Sequence, residues 1–420
     1  MIWRALYTLA LRAALPLILL KLWWRGRREP GYRRNVGERF GDYASGSEQP
    51  VIWLHAVSVG EARAATPLVR ALQSEFEHHR MLITCMTAAG RDTVKQVYGE
   101  SVLVAWLPYD YPGAVRRFLE HFRPRLGLLM ETEIWPNLLA ACRDHAVPVV
   151  LANARMSERS ARGYARWRGL SRPAFAGLAG VCAQTDSDAA RLAALGAAPI
   201  GVTGNLKFDL MPDAAQAAAG RAWRAALGRP VLLLASTREG EERMLLDALP
   251  ARADDILVLV VPRHPQRFDE VAQLLRQGPQ AVGRRSRGEM PQPQQRMFLG
   301  DTLGEMAFYY AAADVSVIGG SFAPHGGQNL IEACAAGTPV VLGPSMFNFA
   351  EATRLALEAG AALQVANAAE AMRLARSLCE DRPRRELMGA VGKTLCAAHR
   401  GATERHLEVC RRFLRAPARE

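Results

Sequence analysis

The sequence predicts an α/β protein: two Rossmann-like, doubly wound domains facing a cleft, preceded by a membrane-associated helix. Three observations carry that prediction. The chain has 420 residues, enough for two or three domains at roughly 100 to 200 residues each. From residue 51 onward, short β-branched runs alternate with amphipathic segments of helix length, the pattern of βαβ units on a parallel sheet. That alternation pauses over the Ala-rich stretch 210–229 and then starts again. The predicted division is 1–40 for the membrane helix and its basic flank, 41–207 for a first Rossmann-like domain, and 208–420 for a second that carries the terminal helices.

In chain order, the first element is the apolar stretch 2–24, interrupted by Arg4, Arg12 and Lys21 and bent by Pro16. Arg4, Thr8 and Arg12 recur at spacing four and share one helix face, while Leu, Ile and Trp cover the rest, an interfacial pattern that also permits a single signal anchor. Arg25, Arg27, Arg28, Arg33, Arg34 and Arg39 follow against only Glu29 and Glu38, a flank that reads as cytoplasmic. Strands are then expected at 51–55, 81–85, 102–106, 126–130, 147–152, 180–183 and 200–203. A second series follows at 231–235, 257–261, 315–318 and 340–342.

The overall charge of +12 favours anionic partners. No nucleic-acid motif accompanies it, so nucleic acid is not an expected partner. The seven cysteines are scattered singly, without the spacing of a disulfide framework or a zinc site, and no metal site is expected.

In a doubly wound domain ligands bind beyond the carboxyl ends of the strands, and the unusual clusters lie there. GGSFAPHGGQNLIEACAAG begins at Gly319. Its glycines (Gly319 and Gly320 first), with Ser321, are expected to bring backbone amides to a nucleotide phosphate, a helix opening near Gln328 and Asn329 adds its positive end, and Glu332 is placed to accept from a ribose diol. Ser236 and Thr237 in STREGEE, and Arg263 and His264 in VPRHPQRF, offer further donors.

In the first half, WLHAVSVGEA sets Glu61 at a strand-to-helix junction, expected to stay ionised at neutral pH and to act as the base. METEIWPN puts Glu131 and Glu133 at another strand end, and GNLKFD places Lys207 at the link between domains. Arg155, Arg159, Arg162 and Arg166 form a stripe suited to lipid phosphates or to solvent. Asp186 and Asp188 read as helix capping in preference to a metal pair.

Taken together, HAVSVGE, ETEIWPN, NARMSERS, GNLKFD, VPRHP and SFAPHGGQN, after an anchored N-terminus and in that order, closely resemble the lipid A Kdo (3-deoxy-D-manno-octulosonic acid) transferases of Gram-negative bacteria. The resemblance implies a glycosyltransferase B fold, CMP-Kdo as donor substrate with no separate cofactor, a tetraacylated, bisphosphorylated lipid A precursor as acceptor, and an N-terminally anchored place on the cytoplasmic face of the inner membrane. It implies Glu61 as general base of a metal-independent inverting transfer, with Glu131 and Lys207 near the reacting centre. It assigns Arg263, Gly320, Ser321, Asn329 and Glu332 to the CMP site. Two departures stand out: Gln328 where members commonly carry His, and Arg238 in the STREGEE loop. The alternative is a sugar-nucleotide epimerase of related fold, against which the N-terminal fifty residues, with a net charge of +5, argue.

Overall fold

The computed structural model describes residues 2–249, 255–276 and 282–415, arranged as two compact units. The first comprises Met1–Leu210 and Arg400–Glu420, the second Met211–His399. Residues 400–415, expected with the second half, therefore belong to the first. The physical reason is a helix, Ala402–Leu414, whose Ala402, Leu407, Cys410 and Leu414 join the core on one face of the first sheet. Asp209 caps its start through the amides of Gly401 and Thr403, and Arg411 pairs with Glu75 through two 2.7 Å bonds.

The first sheet has seven parallel strands: β1 (Val51–His55), β2 (Arg80–Cys85), β3 (Val102–Trp106), β4 (Pro124–Met130), β5 (Val149–Ala154), β6 (Gly180–Ala183) and β7 (Ile200–Val202), in the order β3-β2-β1-β4-β5-β6-β7. Helices on both faces bury the strands, so β1 is solvent-free throughout and its side chains alternate between two cores: Trp53 with Phe118 and Leu151, and Leu54 with Leu68 and Leu128.

The second unit repeats the plan with β8 (Val231–Thr237), β9 (Leu257–Pro262), β10 (Gly283–Arg284), β11 (Met297–Leu299), β12 (Val315–Ile318), β13 (Val340–Leu342) and β14 (Ala362–Gln364), ordered β10-β11-β9-β8-β12-β13-β14 and again all parallel. All eleven expected strands form. The short edge strands β10, β11 and β14 were not expected; two or three residues carry too little periodicity to read.

The N-terminal helix runs unbroken from Ile2 to Arg28 through Pro16. It lies along the rest of the first unit with Tyr7 and Thr8 turned toward it, while Arg12 stays exposed. Thr8 bonds Asn137, Tyr7 donates to Asp110, the Tyr111 hydroxyl donates to the Leu11 carbonyl, and Leu22 packs on Tyr32 and Trp106. Ile2, Leu6, Leu9, Leu17, Leu20, Trp23 and Trp24 point outward, exposed. At the helix end, Arg27 stacks on Trp23 at 4.1 Å and Arg28 on Trp24 at 4.6 Å. The basic flank is shorter than expected. Arg39 is buried against the Trp106 ring, and Glu38 pairs with buried Arg91 while accepting the Trp106 amide.

Candidate active site

Strand order decides which post-strand residues meet. In the first sheet the order reverses between β1 and β4, and a doubly wound sheet opens a crevice at that point. Glu61 follows β1 and Glu131 follows β4, so the switch point collects both. The Glu61 carboxylate is held on both oxygens, accepting from the Val57 amide and the Ser58 hydroxyl, each at 2.9 Å. Burial, then the neighbouring charge of Glu131, push it up to about 7 against the opposing pull of those two bonds. The expectation of a fully ionised Glu61 at neutral pH is thereby corrected. It is a carboxyl poised to gain or lose a proton near neutrality, the condition in which a general base works best.

Glu131 stands in left-handed backbone at φ 57°, a strained position for a non-glycine residue, and its Oε1 lies 3.2 Å from the Lys207 ammonium, both side chains largely shielded. Lys207 belongs to the short turn Leu206–Asp209 after β7, which buried Asn153 fixes by accepting the Leu206 amide at 3.0 Å. Asn153 is also left-handed, and its own amide donates to His406 of the terminal helix. Sequence reasoning missed Asn153: a positive φ at a non-glycine residue has no local signature. Glu133 accepts from the Trp135 indole at 3.0 Å, and burial raises its proton affinity. His55, in the same motif as Glu61, is a solvent-free core residue bonded to Thr84 and held neutral by burial.

The stripe of four arginines reduces to three. Their helix starts only at Glu158, capped by Ser157, so Arg155 precedes it while Arg159, Arg162 and Arg166 stand exposed. Asp188 is a capping residue as expected: Thr185 and Asp188 exchange bonds at the helix start, and the Asp188 carboxylate accepts the Met156 amide.

The second sheet reverses between β8 and β12, and STREGEE and the glycine-rich loop meet there. Ser236 occupies a bulge of β8 at φ 56°, half-buried. Gly319 touches it so closely that a Cβ would stand 2.5 Å from Thr237 Cα. The glycine amides of the loop are already committed. Gly319 donates to Ala235, Gly320 and Phe322 to Glu241, Gly326 to Ser345 and Gly327 to the Gly320 carbonyl. The glycines thus serve close packing, which corrects the expected amide cradle. Thr237 and Ser321 are likewise solvent-free: Thr237 donates to Glu242, and Ser321 donates to Ile318 and accepts from Gly343. They brace the site from behind.

Glu241, whose place in the first turn of the helix Glu241–Asp247 would by itself suit only the helix dipole, is the residue that ties the two loops together. Fully buried, it accepts the amides of Arg238, Gly320 and Phe322. What faces outward is a cluster of donors. Arg238 meets His264 at 2.8 Å, Arg263 meets Gln328 at 3.2 Å, and burial with the cations Arg238, Arg263 and Arg267 keeps His264 neutral. The two residues that depart from the family pattern are thus contact partners of the two donors in VPRHP. The helix after the loop is Ile331–Ala336, starting later than expected, so Glu332 lies in its first turn. Asn329 caps the Ile331 amide and donates to Glu332 at 2.8 Å.

Residues 34–210 match the family model described as 3-deoxy-D-manno-octulosonic-acid transferase (kdotransferase). The chain is 49% identical to the 3-deoxy-D-manno-octulosonic acid transferase of Bordetella pertussis and 36% identical to that of Haemophilus influenzae, in each case over 98% of this chain and 99% of the relative. Among solved structures, a glycosyltransferase from Rickettsia africae superposes with a TM-score of 0.59 at 14% identity, covering 88% of this chain and 100% of that one. A putative UDP-N-acetylglucosamine 2-epimerase from Listeria monocytogenes gives 0.58 at 14%, covering 89% and 99%. At such identities these two show the shared fold alone, that of the glycosyltransferase B architecture, so the epimerase alternative rests on a fold likeness only.

Proposed function

The chain belongs to the 3-deoxy-D-manno-octulosonic acid transferase family, a family of glycosyltransferases, and on that premise we propose that it transfers Kdo from CMP-Kdo to the tetraacylated, bisphosphorylated lipid A precursor. The observation that carries the proposal is Glu61, fixed by Val57 and Ser58 at a topological switch point and poised at about 7. As the acceptor hydroxyl attacks the anomeric carbon, Glu61 takes its proton, the bond from that carbon to the CMP phosphate breaks, and CMP leaves. Inversion at the anomeric carbon follows from this single displacement. Lys207, held by Glu131, is placed to meet the carboxylate of the sugar.

Arg238, Arg263 and neutral His264, with the Ser236 hydroxyl, receive the CMP phosphate, so its departing charge meets protein donors and the transfer is metal-independent. Glu332, oriented by Asn329, accepts from the ribose hydroxyls. Gly319, Gly320, Ser321 and Thr237 pack behind these groups and hold the two loops together.

Among the described residues one helix, Ile2–Arg28, is long and apolar enough to cross a membrane. Its Tyr7 and Thr8 bond along the rest of the first unit and its apolar residues face outward, which supports a helix lying in the plane of the bilayer surface, with Trp23 and Trp24 at headgroup level, on the cytoplasmic face of the inner membrane. Incubation with CMP-Kdo and the acceptor lipid, with products weighed by mass spectrometry, tests the proposal. Addition of Kdo, abolished by Glu61→Gln, is expected. Absence of any mass increase with wild-type protein refutes it.

A further inference from the structure

A cavity of about 890 Å³ lies between the N-terminal helix and the rest of the first unit, within the roughly 300–1,000 Å³ typical of small-molecule sites. Trp3 and Leu6 of the helix, Trp135 after β4, and Gly163, Tyr164 and Trp167 form its walls. Trp3 and Trp167 meet edge to face at 6.4 Å. The chemistry described so far makes no use of this space. It is lined mainly by aromatic and aliphatic side chains, and one oxygen of the acid at its end, Glu133, is already engaged by the Trp135 indole.

We propose that this cavity holds one acyl chain of the acceptor lipid, and the assignment rests on the acceptor reading given above. Three features select that occupant. First, Trp3 and Leu6 belong both to the cavity wall and to the exposed apolar face of the helix, so a chain passes from bilayer to cavity along continuous apolar surface. Second, the segment forming another wall, 132–136, begins at the residue after Glu131, whose carboxylate holds Lys207. A chain seated there leads its sugar toward the acid–base groups. Third, exposed Arg159, Arg162 and Arg166 stand on the helix that contributes Gly163 and Tyr164, cations beside an apolar cavity that match the phosphates of an acylated sugar phosphate. Each methylene moved from water into such a site tightens binding about fourfold.

Gly163 supplies the test, because a Cβ built there meets nothing within 4 Å and leucine favours a helix more than glycine does. Gly163→Leu therefore narrows the cavity from a position where the added Cβ meets nothing, and Gly163→Ala is its milder companion. In the first arm, full-length protein is titrated with dibromostearate, which quenches tryptophan at close range. Wild-type fluorescence is expected to fall, and Gly163→Leu to lose most of that response with Gly163→Ala between. Equal quenching in all three overturns the cavity assignment, whatever the catalytic outcome. In the second arm, KM is measured for the tetraacylated disaccharide bisphosphate and for its fully deacylated form. Gly163→Leu is expected to raise the first roughly tenfold or more and to leave the second and both kcat values unchanged. An equal rise for both acceptors, or none, refutes acyl binding. Quenching that follows the expected order while wild type transfers to neither acceptor refutes the acceptor reading and leaves an apolar-chain site standing.

Discussion

Replacing Glu131 by Gln removes the charge that, after burial, contributes most to raising Glu61 to about 7. Its loss favours ionised Glu61 and moves its titration downward. A neighbouring charge shifts a carboxyl by about one to three units, and because burial remains, a shift of roughly one unit is expected. For a group titrating at about 7, only about a tenth is ionised at pH 6, whereas at an apparent value near 6 about half is, a gain of roughly fivefold in reactive base. The assay is the pH profile of kcat/KM for Kdo transfer between pH 5 and 9. The acid limb of Glu131→Gln is expected about one unit below wild type, even if the plateau falls. Lys207→Met, which leaves the Glu131 charge unneutralised beside Glu61, is expected to move the limb upward. Limbs that coincide in all three proteins would refute the argument that Glu61 is the titrating base and that Glu131 tunes it.

The remaining predictions concern stability and the membrane. Glu61 binds its proton more tightly in the folded chain (about 7) than its ordinary value of 4.5, so its contribution to folding is full below 4.5 and is lost as pH rises toward 7. Glu61→Gln should lack that decline, read as a flatter dependence of Tm on pH between 5 and 8 together with loss of transfer; a parallel Tm profile would contradict the assignment. Glu241→Ala deprives three backbone amides of a buried acceptor, at a cost of about 3 kcal/mol or more, and should lower the Tm of the second unit and abolish CMP binding by calorimetry. Unchanged CMP affinity would show that the two loops hold without it. Leu17→Ser with Leu20→Ser, both exposed on the N-terminal helix, should weaken pelleting with liposomes about a hundredfold, from roughly 3 kcal/mol of lost apolar burial. Wild-type pelleting would exclude that face as the membrane contact.

Much of this protein was legible before any coordinates. The longer strands of both sheets could be read where short apolar runs alternated with amphipathic segments of helix length, and the post-strand clusters containing Glu61, Glu131, Ser236 and Arg263 stood out because polar residues interrupt apolar runs there. The resemblance carried by HAVSVGE, ETEIWPN and SFAPHGGQN pointed to the family that the relatives establish. What escaped was non-local. The Ala402–Leu414 helix was placed with the wrong half because its apolar face carries no record of which sheet it covers. Glu241 looked like a helix-dipole acid because its three amide partners include two from eighty residues away. The loop glycines looked like a phosphate cradle because sequence shows that an amide exists but not where it already donates.

By itself the sequence determined the inventory: two series of βαβ units, an apolar N-terminal helix striped with arginine, and chemistry-bearing residues at strand ends. These follow from local periodicity and residue type, which act within a few residues along the chain. Only the tertiary structure decided which strand ends become neighbours, because strand order is set by pairing over tens to hundreds of residues. It set Glu61 beside Glu131 at the β1–β4 reversal and the STREGEE loop against Gly319 at the β8–β12 reversal. The proton affinity of Glu61 belongs to the same category, since burial and a charge brought from another strand raise it, and neither exists until the sheet has formed.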